Sequence, residues 1–136
     1  MLPAAALREF GGFATRPELI AAGCWPDMID MSLYYRKIIR VRRGQYALPE
    51  MPPHILRALR VGGRLACVSA LAHYAGEPSD ELHVLVKYGI SRLGWSPGDQ
   101  VVVHWSRRPV RGTRLIVAEE EARAQAANCR ALSPPG

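Results

Sequence analysis

The chain has 136 residues, enough for one ordinary domain or two very small ones, and its 49% hydrophobic and 22% charged content is that of a folded globular protein. No apolar run approaches the ~20 residues that cross a bilayer, and Arg8 and Glu9 interrupt the start before a secretory core could form. The expectation is a cytoplasmic protein with no membrane partner.

Eighteen Lys and Arg against twelve Asp and Glu leave a net charge of +6, a surplus that suggests an anionic partner. The only lysines are Lys37 and Lys87, so arginine carries nearly all the positive charge. That bias fits a GC-rich coding genome, and it also supplies fork-shaped donors suited to phosphates and guanine edges. Cys24, Cys67 and Cys129 are odd in number and far apart, with no C-x-x-C pair and no histidine at metal-ligand spacing. They read as reduced, mostly buried thiols, with no metal and no cofactor.

In chain order, Ala4 to Phe10 predicts a weak helix ended by Gly11-Gly12. Thr15 before Arg16-Pro17-Glu18 predicts a capped helix that turns Leu19 and Ile20 inward and stops near Gly23. A third helix begins around Pro26, with Asp27 near its positive end and Ile29 and Leu33 on one face. The period then changes. Ile39-Arg40-Val41-Arg42 alternates apolar and basic, Arg43-Gly44 supplies a turn, and Gln45 to Leu48 returns as the second strand. Alternation puts Arg40 and Arg42 on one face, leaving Ile39 and Val41 to cover a core with Tyr46 or Leu48.

Three prolines between Pro49 and Pro53 mark a joint. Beyond it, His54 to Arg60 and Val68 to Tyr74 predict helices, with Ser69 near the start of the second. Leu82 to Lys87, Val101 to Trp105 and Arg114 to Val117 predict three strands, and Ala118 to Gln125 a helix with acids in its first turn. The fold class is therefore α+β: residues 1–50 as a winged helix-turn-helix, 54–130 as a small three-stranded sheet backed by helices, and 131–136 as a frayed tail.

Helix, helix, helix and ribbon is a DNA-binding pattern in which the third helix enters the major groove and the ribbon meets the flanking backbone. Arg36, Lys37, Arg40, Arg42 and Arg43 place five cations and no acid within eight positions. Asp27, Asp30, Met31, Ser32, Tyr34 and Tyr35 are candidate base or sugar contacts, although each equally fits a plain surface position. A second basic group, Arg107, Arg108, Arg111 and Arg114 beside His104 and Trp105, could extend a DNA footprint, hold a protein or remain a solvated loop. Catalytic signals are poor: the four histidines are scattered, and G-x-S-x-G, G-x-x-x-x-G-K-[ST] and H-E-x-x-H are absent. No enzyme is expected.

The stretches Phe13 to Gly23 and Ile38 to Ala47 resemble the N-terminal winged-helix domain of AbiEi-type antitoxins and related actinobacterial regulators. Leu82 to Val86, Val101 to Trp105 and Ala118 to Cys129 are similar to the second region of the same proteins. The resemblance implies DNA binding and transcriptional control, often autoregulation of a toxin operon. It assigns contacts to Thr15, Arg16, the helix from Pro26 and the segment from Arg40 to Gln45. The third helix here is acidic and aromatic where relatives are commonly arginine-rich. Many relatives also continue into a further domain, which makes a compact stand-alone repressor on a phage or mobile element the expectation.

The expected function is a double-stranded-DNA-binding regulator without a cofactor, its oligomeric state open. A protein-binding adaptor that captures a cognate toxin or host protein is the alternative, and a nuclease fragment a third reading.

Overall fold

Proline opens the first three helices. Pro3, Pro17 and Pro26 lie in the first turns of α1 (Pro3–Glu9), α2 (Arg16–Ala21) and α3 (Pro26–Tyr34), where the missing N–H would have had no helical partner. The structure is a computed structural model describing residues 1–90, 92–94 and 100–129. The chain divides into two compact units, Met1–Leu56 and Arg57–Gly136. The tail at 131–136 lies outside the described residues.

In the first unit, α2 is fixed by a reciprocal cap. The Thr15 hydroxyl accepts from the Glu18 amide at 3.3 Å, and the Thr15 amide donates to Glu18 Oε1 at 2.8 Å, which satisfies two donors that the first turn leaves open. Leu19 from α2 and Ile29 from α3 are fully buried, with Ala6, Leu7, Ile38 and Tyr46 in the same cluster. Ile20 is 45% exposed, so the expectation that it faces inward is corrected. A six-residue helix has room for one inward row, and Leu19 occupies it.

The ribbon forms as β2 (Ile39–Arg42) and β3 (Gln45–Ala47), joined at Arg43-Gly44. Gly44 has φ +70°, a turn geometry that other residues adopt only with strain. A third strand, β1 (Phe13–Thr15), which the sequence did not announce, pairs with the other edge of β3. The order is β1-β3-β2, all antiparallel.

The break between units falls within α4 (Pro53–Val61), into which the expected proline joint leads directly. In the second unit, β4 (Arg64–Leu65), β5 (Leu82–Lys87) and β6 (Val101–Ser106) form a sheet of order β4-β5-β6. β5 and β6 are parallel, with Leu85 opposite His104. Helices α5 (Cys67–Ala75) and α6 (Glu119–Ala127) share a core with Leu85 and Val117.

Arg114 to Val117, expected as the third strand, makes only isolated bridges, Leu65 to Ile116 and Gly112 to Val117. The Thr113 hydroxyl accepts from the amides of both Leu115 and Ile116, which withdraws two donors from any ladder. The third strand is instead β4. No helix among the described residues is long and apolar enough to cross a membrane.

Leu19→Ala should destabilise the chain by about 2–5 kcal/mol through the cavity it leaves, whereas Ile20→Ala should change stability by roughly 0.5 kcal/mol or less. Denaturant unfolding of the two variants checks the pair, and equal losses would contradict the packing described.

Candidate functional site

Two places in the molecule gather chemistry. The first is the surface of unit 1 made by α3 and the ribbon. α3 turns Ile29 into the core and leaves Asp27, Asp30, Met31, Tyr34 and Tyr35 exposed, Tyr34 at 80%. The rings of Tyr34 and Tyr35 meet edge to face with centroids 5.1 Å apart. Trp25, just before the helix, is 72% exposed. Four large apolar or aromatic side chains therefore stand in solvent around one nine-residue helix, which is unusual for a structural surface.

α3 ends abruptly. Arg36 adopts φ +56°, and the Lys37 amide donates back to the Ser32 carbonyl at 2.8 Å, the kind of left-handed stop that usually falls to glycine. Ile38 is then fully buried and Val41 nearly so. Pinned at those two points, the segment exposes Arg36, Lys37, Arg40 and Arg43, while Arg42 is half-buried. Among the described residues, no ion pair engages Arg36, Lys37, Arg40 or Arg43.

A bulge modifies the expected ribbon. Arg40 pairs with Tyr46 and Arg42 with Gln45, so Val41 is the extra residue. Strict alternation therefore does not place Arg40 and Arg42 on a common face, and local twist increases at that point. Gln45 is half-buried beside the turn.

Other sequence candidates have structural partners. The Thr15 hydroxyl is used as the cap of α2. Arg16 donates to the Tyr46 hydroxyl at 3.3 Å and lies 3.7 Å from Asp30 Oδ1. The hydrogen bond to Tyr46, more than the nearby Asp30 carboxylate, raises its pKa above the ordinary arginine value. Arg16 thus bridges α2, α3 and β3, and it takes up one of the two acids on the α3 surface.

The second basic group is not one patch of free charge. The Arg111 guanidinium is held by Glu120 at 2.9 Å and Glu121 at 3.4 Å, and Arg107 stacks 4.0 Å over the Tyr88 ring. Arg108 and Arg114 are exposed. Arg107 and Arg108 line a cleft of about 400 Å³ with Arg64 and Lys87. Arg64 itself donates to the carbonyls of Val110 and Thr113 and so fastens the loop.

The second place lies in unit 2. Side chains alternate along a strand, so the register that sets Leu85 against His104 puts His83 and His104 on one face of the sheet. Cys67 at the start of α5 and Cys129 just past the end of α6 complete the group. The donor atoms of all four lie within 4.8 Å of one another. His83 Nδ1 is 3.1 Å from His104 Nε2, and Cys129 Sγ is 3.9 Å and 3.8 Å from those nitrogens. The other His83 nitrogen, Nε2, sits 3.1 Å from Glu81 Oε2.

Burial pushes the Cys67 thiol up to about 11; the Val68 amide opposes the rise, and the Cys129 sulfur adds to it. Burial, and secondarily the His83 ring, holds His104 below its ordinary value. Imidazole and sulfur donors in such a group could hold a divalent metal. No histidine lies at metal-ligand spacing from these cysteines in the sequence, yet the fold brings His83 and His104 to Cys67 and Cys129. Sequence spacing does not register partners that meet only through the fold.

No family model matches the chain, and no curated protein matches it.

Arg36→Gly should raise unfolding stability by roughly 0.5–1 kcal/mol, because glycine occupies the left-handed region without a Cβ clash. A lower denaturation midpoint for this variant would contradict the backbone described at that residue.

Proposed function

We propose that unit 1 is a winged helix that binds double-stranded DNA, and that the chain is a transcriptional regulator acting by occupancy of its operator. The observation that carries this reading is the segment from Arg36 to Arg43: five cations and no acid, anchored at Ile38 and Val41, directly after an exposed helix. Like charges this close repel one another unless an anion neutralises them, and a phosphate backbone does so while releasing counterions.

The order of elements supports the reading. A helix, an edge strand, two helices and a hairpin, with sheet order β1-β3-β2, leave α3 and the ribbon adjacent in the chain and both exposed. In this arrangement α3 presents Met31, Tyr34 and Tyr35 to base edges and sugars, and the ribbon sets Arg40 and Arg43 against flanking phosphates. Asp27 can accept from a cytosine amine. Arg16 braces the surface through Tyr46 and Asp30 and acts through position more than contact. Occupancy of this kind needs no small molecule.

The exposed Trp25, Met31, Tyr34 and Tyr35 favour one second reading, a protein-binding adaptor that uses the same helix as an apolar docking face for a toxin or host protein. Salt separates the two. Phosphate binding weakens steeply as salt rises, whereas an apolar contact does not.

Arg40→Ala and Arg43→Ala should each weaken binding to the gene's own upstream duplex and to an unrelated duplex by similar factors. Each should also reduce the slope of log K against log salt by about one unit per lost phosphate contact. Fluorescence anisotropy titrations at several salt concentrations measure both. Unchanged slopes in both variants would remove the ribbon from the interface.

Met31→Ala and Tyr34→Ala should instead change the ratio between the two duplexes. A ratio that stays fixed while overall affinity holds would exclude α3 from base readout.

A further inference from the structure

We propose that Cys67, His83, His104 and Cys129 form a tetrahedral zinc site that clamps unit 2 together. The inference is independent of the DNA-binding reading, which concerns unit 1 alone.

The distances carry it. With Zn–N near 2.0–2.1 Å and Zn–S near 2.3 Å, a tetrahedron has edges of about 3.3 Å between nitrogens, about 3.6 Å between nitrogen and sulfur and about 3.8 Å between sulfurs. The observed edges are 3.1 Å for the two imidazoles and 3.8 Å and 3.9 Å from Cys129 to them, with Cys67 inside the same 4.8 Å group. Four protein donors fill the tetrahedron and leave no position for water. The site is therefore structural and not catalytic. Two sulfurs and two imidazoles suit zinc by softness and geometry, and they do not suit magnesium or calcium.

A second observation concerns the ring orientation. His83 directs Nδ1 at the cluster and Nε2 at the Glu81 carboxylate, 3.1 Å away. A carboxylate on the far nitrogen fixes the tautomer that leaves the near nitrogen free to bind and makes it more basic. The His83 amide is held in turn by the Ser69 hydroxyl at 2.8 Å, so the ring stands on a fixed strand.

A third observation is local strain. Cys67 has φ +53°, a conformation that costs a non-glycine residue and persists where the surroundings impose it. Its amide donates to the Gln125 side chain of α6 at 2.9 Å, which aligns the start of one helix with the other. The four donors come from the start of α5, from β5, from β6 and from the end of α6. One ion would therefore tie α5, β5, β6 and the end of α6 together.

The same atoms could instead form a metal-free network, with His104 donating to His83 and the thiols donating to the rings, or the two cysteines could oxidise to a disulfide. The test uses the full chain purified under reducing conditions. Elemental analysis after extensive dialysis should find about one zinc per chain. Metal-free protein refilled with cobalt(II) alone should show the intense visible bands of tetrahedral coordination and a thiolate-to-cobalt charge-transfer band, both removed by one equivalent of zinc.

Cys129→Ser and His104→Gln should each cut retained zinc at least ten-fold while far-UV circular dichroism stays close to that of the parent. If a variant fails to fold, the cobalt spectrum of the parent decides the matter alone. A folded parent that retains no zinc and gives no tetrahedral cobalt spectrum would overturn the proposal. So would a Cys67–Cys129 disulfide in the reduced preparation, or a folded variant that retains zinc as well as the parent does.

Discussion

The surface of unit 1 depends on how eight residues are anchored. Between Arg36 and Arg43 only Ile38 and Val41 are buried, and Ile38 sinks into a core already filled by Leu7, Leu19 and Ile29. Burial of two aliphatic side chains is worth about 1.5–3 kcal/mol each. That is enough to hold a segment whose charges repel one another, given that exposed like charges in water cost far less than buried ones. The left-handed Arg36 makes the anchoring possible, because it stops α3 within one residue and lets Ile38 enter the core immediately. The cations thus follow from where the apolar residues must go. A basic face results without any dedicated scaffold.

Unit 2 shows the same logic with different chemistry. A parallel β5–β6 pair with Leu85 opposite His104 forces two imidazoles onto one face. α5 and α6 then each bring a sulfur to that face from opposite ends of the unit's sequence. Polar groups gathered there have been withdrawn from water and require partners. Among the described residues, no buried side-chain nitrogen or oxygen lacks one. For His83 those partners are Glu81 on one nitrogen and the cluster on the other. A metal would replace several marginal contacts between weak donors with four strong bonds.

Much of unit 1 was legible in the chain because its signals are local. Thr15 and Glu18 announce the capping box at their spacing, Pro26 with Ile29 and Leu33 gives α3, and Arg43-Gly44 between alternating residues gives the ribbon. β1 was missed because three residues cannot show a period, and it exists only through pairing with β3. Ile20 was misplaced because an apolar residue in a short helix carries no mark of which side it faces. The bulge at Val41 was invisible for a related reason, since alternation in sequence persists where pairing slips.

In unit 2 the strands at Leu82 and Val101 were readable from their β-branched runs. Arg114 to Val117 has the same composition, but Thr113 diverts its amides into a turn. The cluster of cysteines and histidines was out of reach by any motif. His83 and His104 are 21 residues apart and His83 and Cys129 are 46 apart; the parallel register joins the histidines, and the end of α6 brings Cys129 to them. A histidine in each of two successive apolar strands was the one available signal. A buried imidazole needs a partner, and each could supply the other's.

The most direct measurement is a backbone-amide NMR titration of the full chain with a short duplex carrying the gene's upstream sequence. The account predicts shifts that trace one continuous surface through Met31, Tyr34 to Lys37 and Arg40 to Gly44, while the buried Leu19 and Ile29 amides move little. Shifts confined to residues beyond Arg57, or scattered over α1 and the opposite side of unit 1, would contradict it.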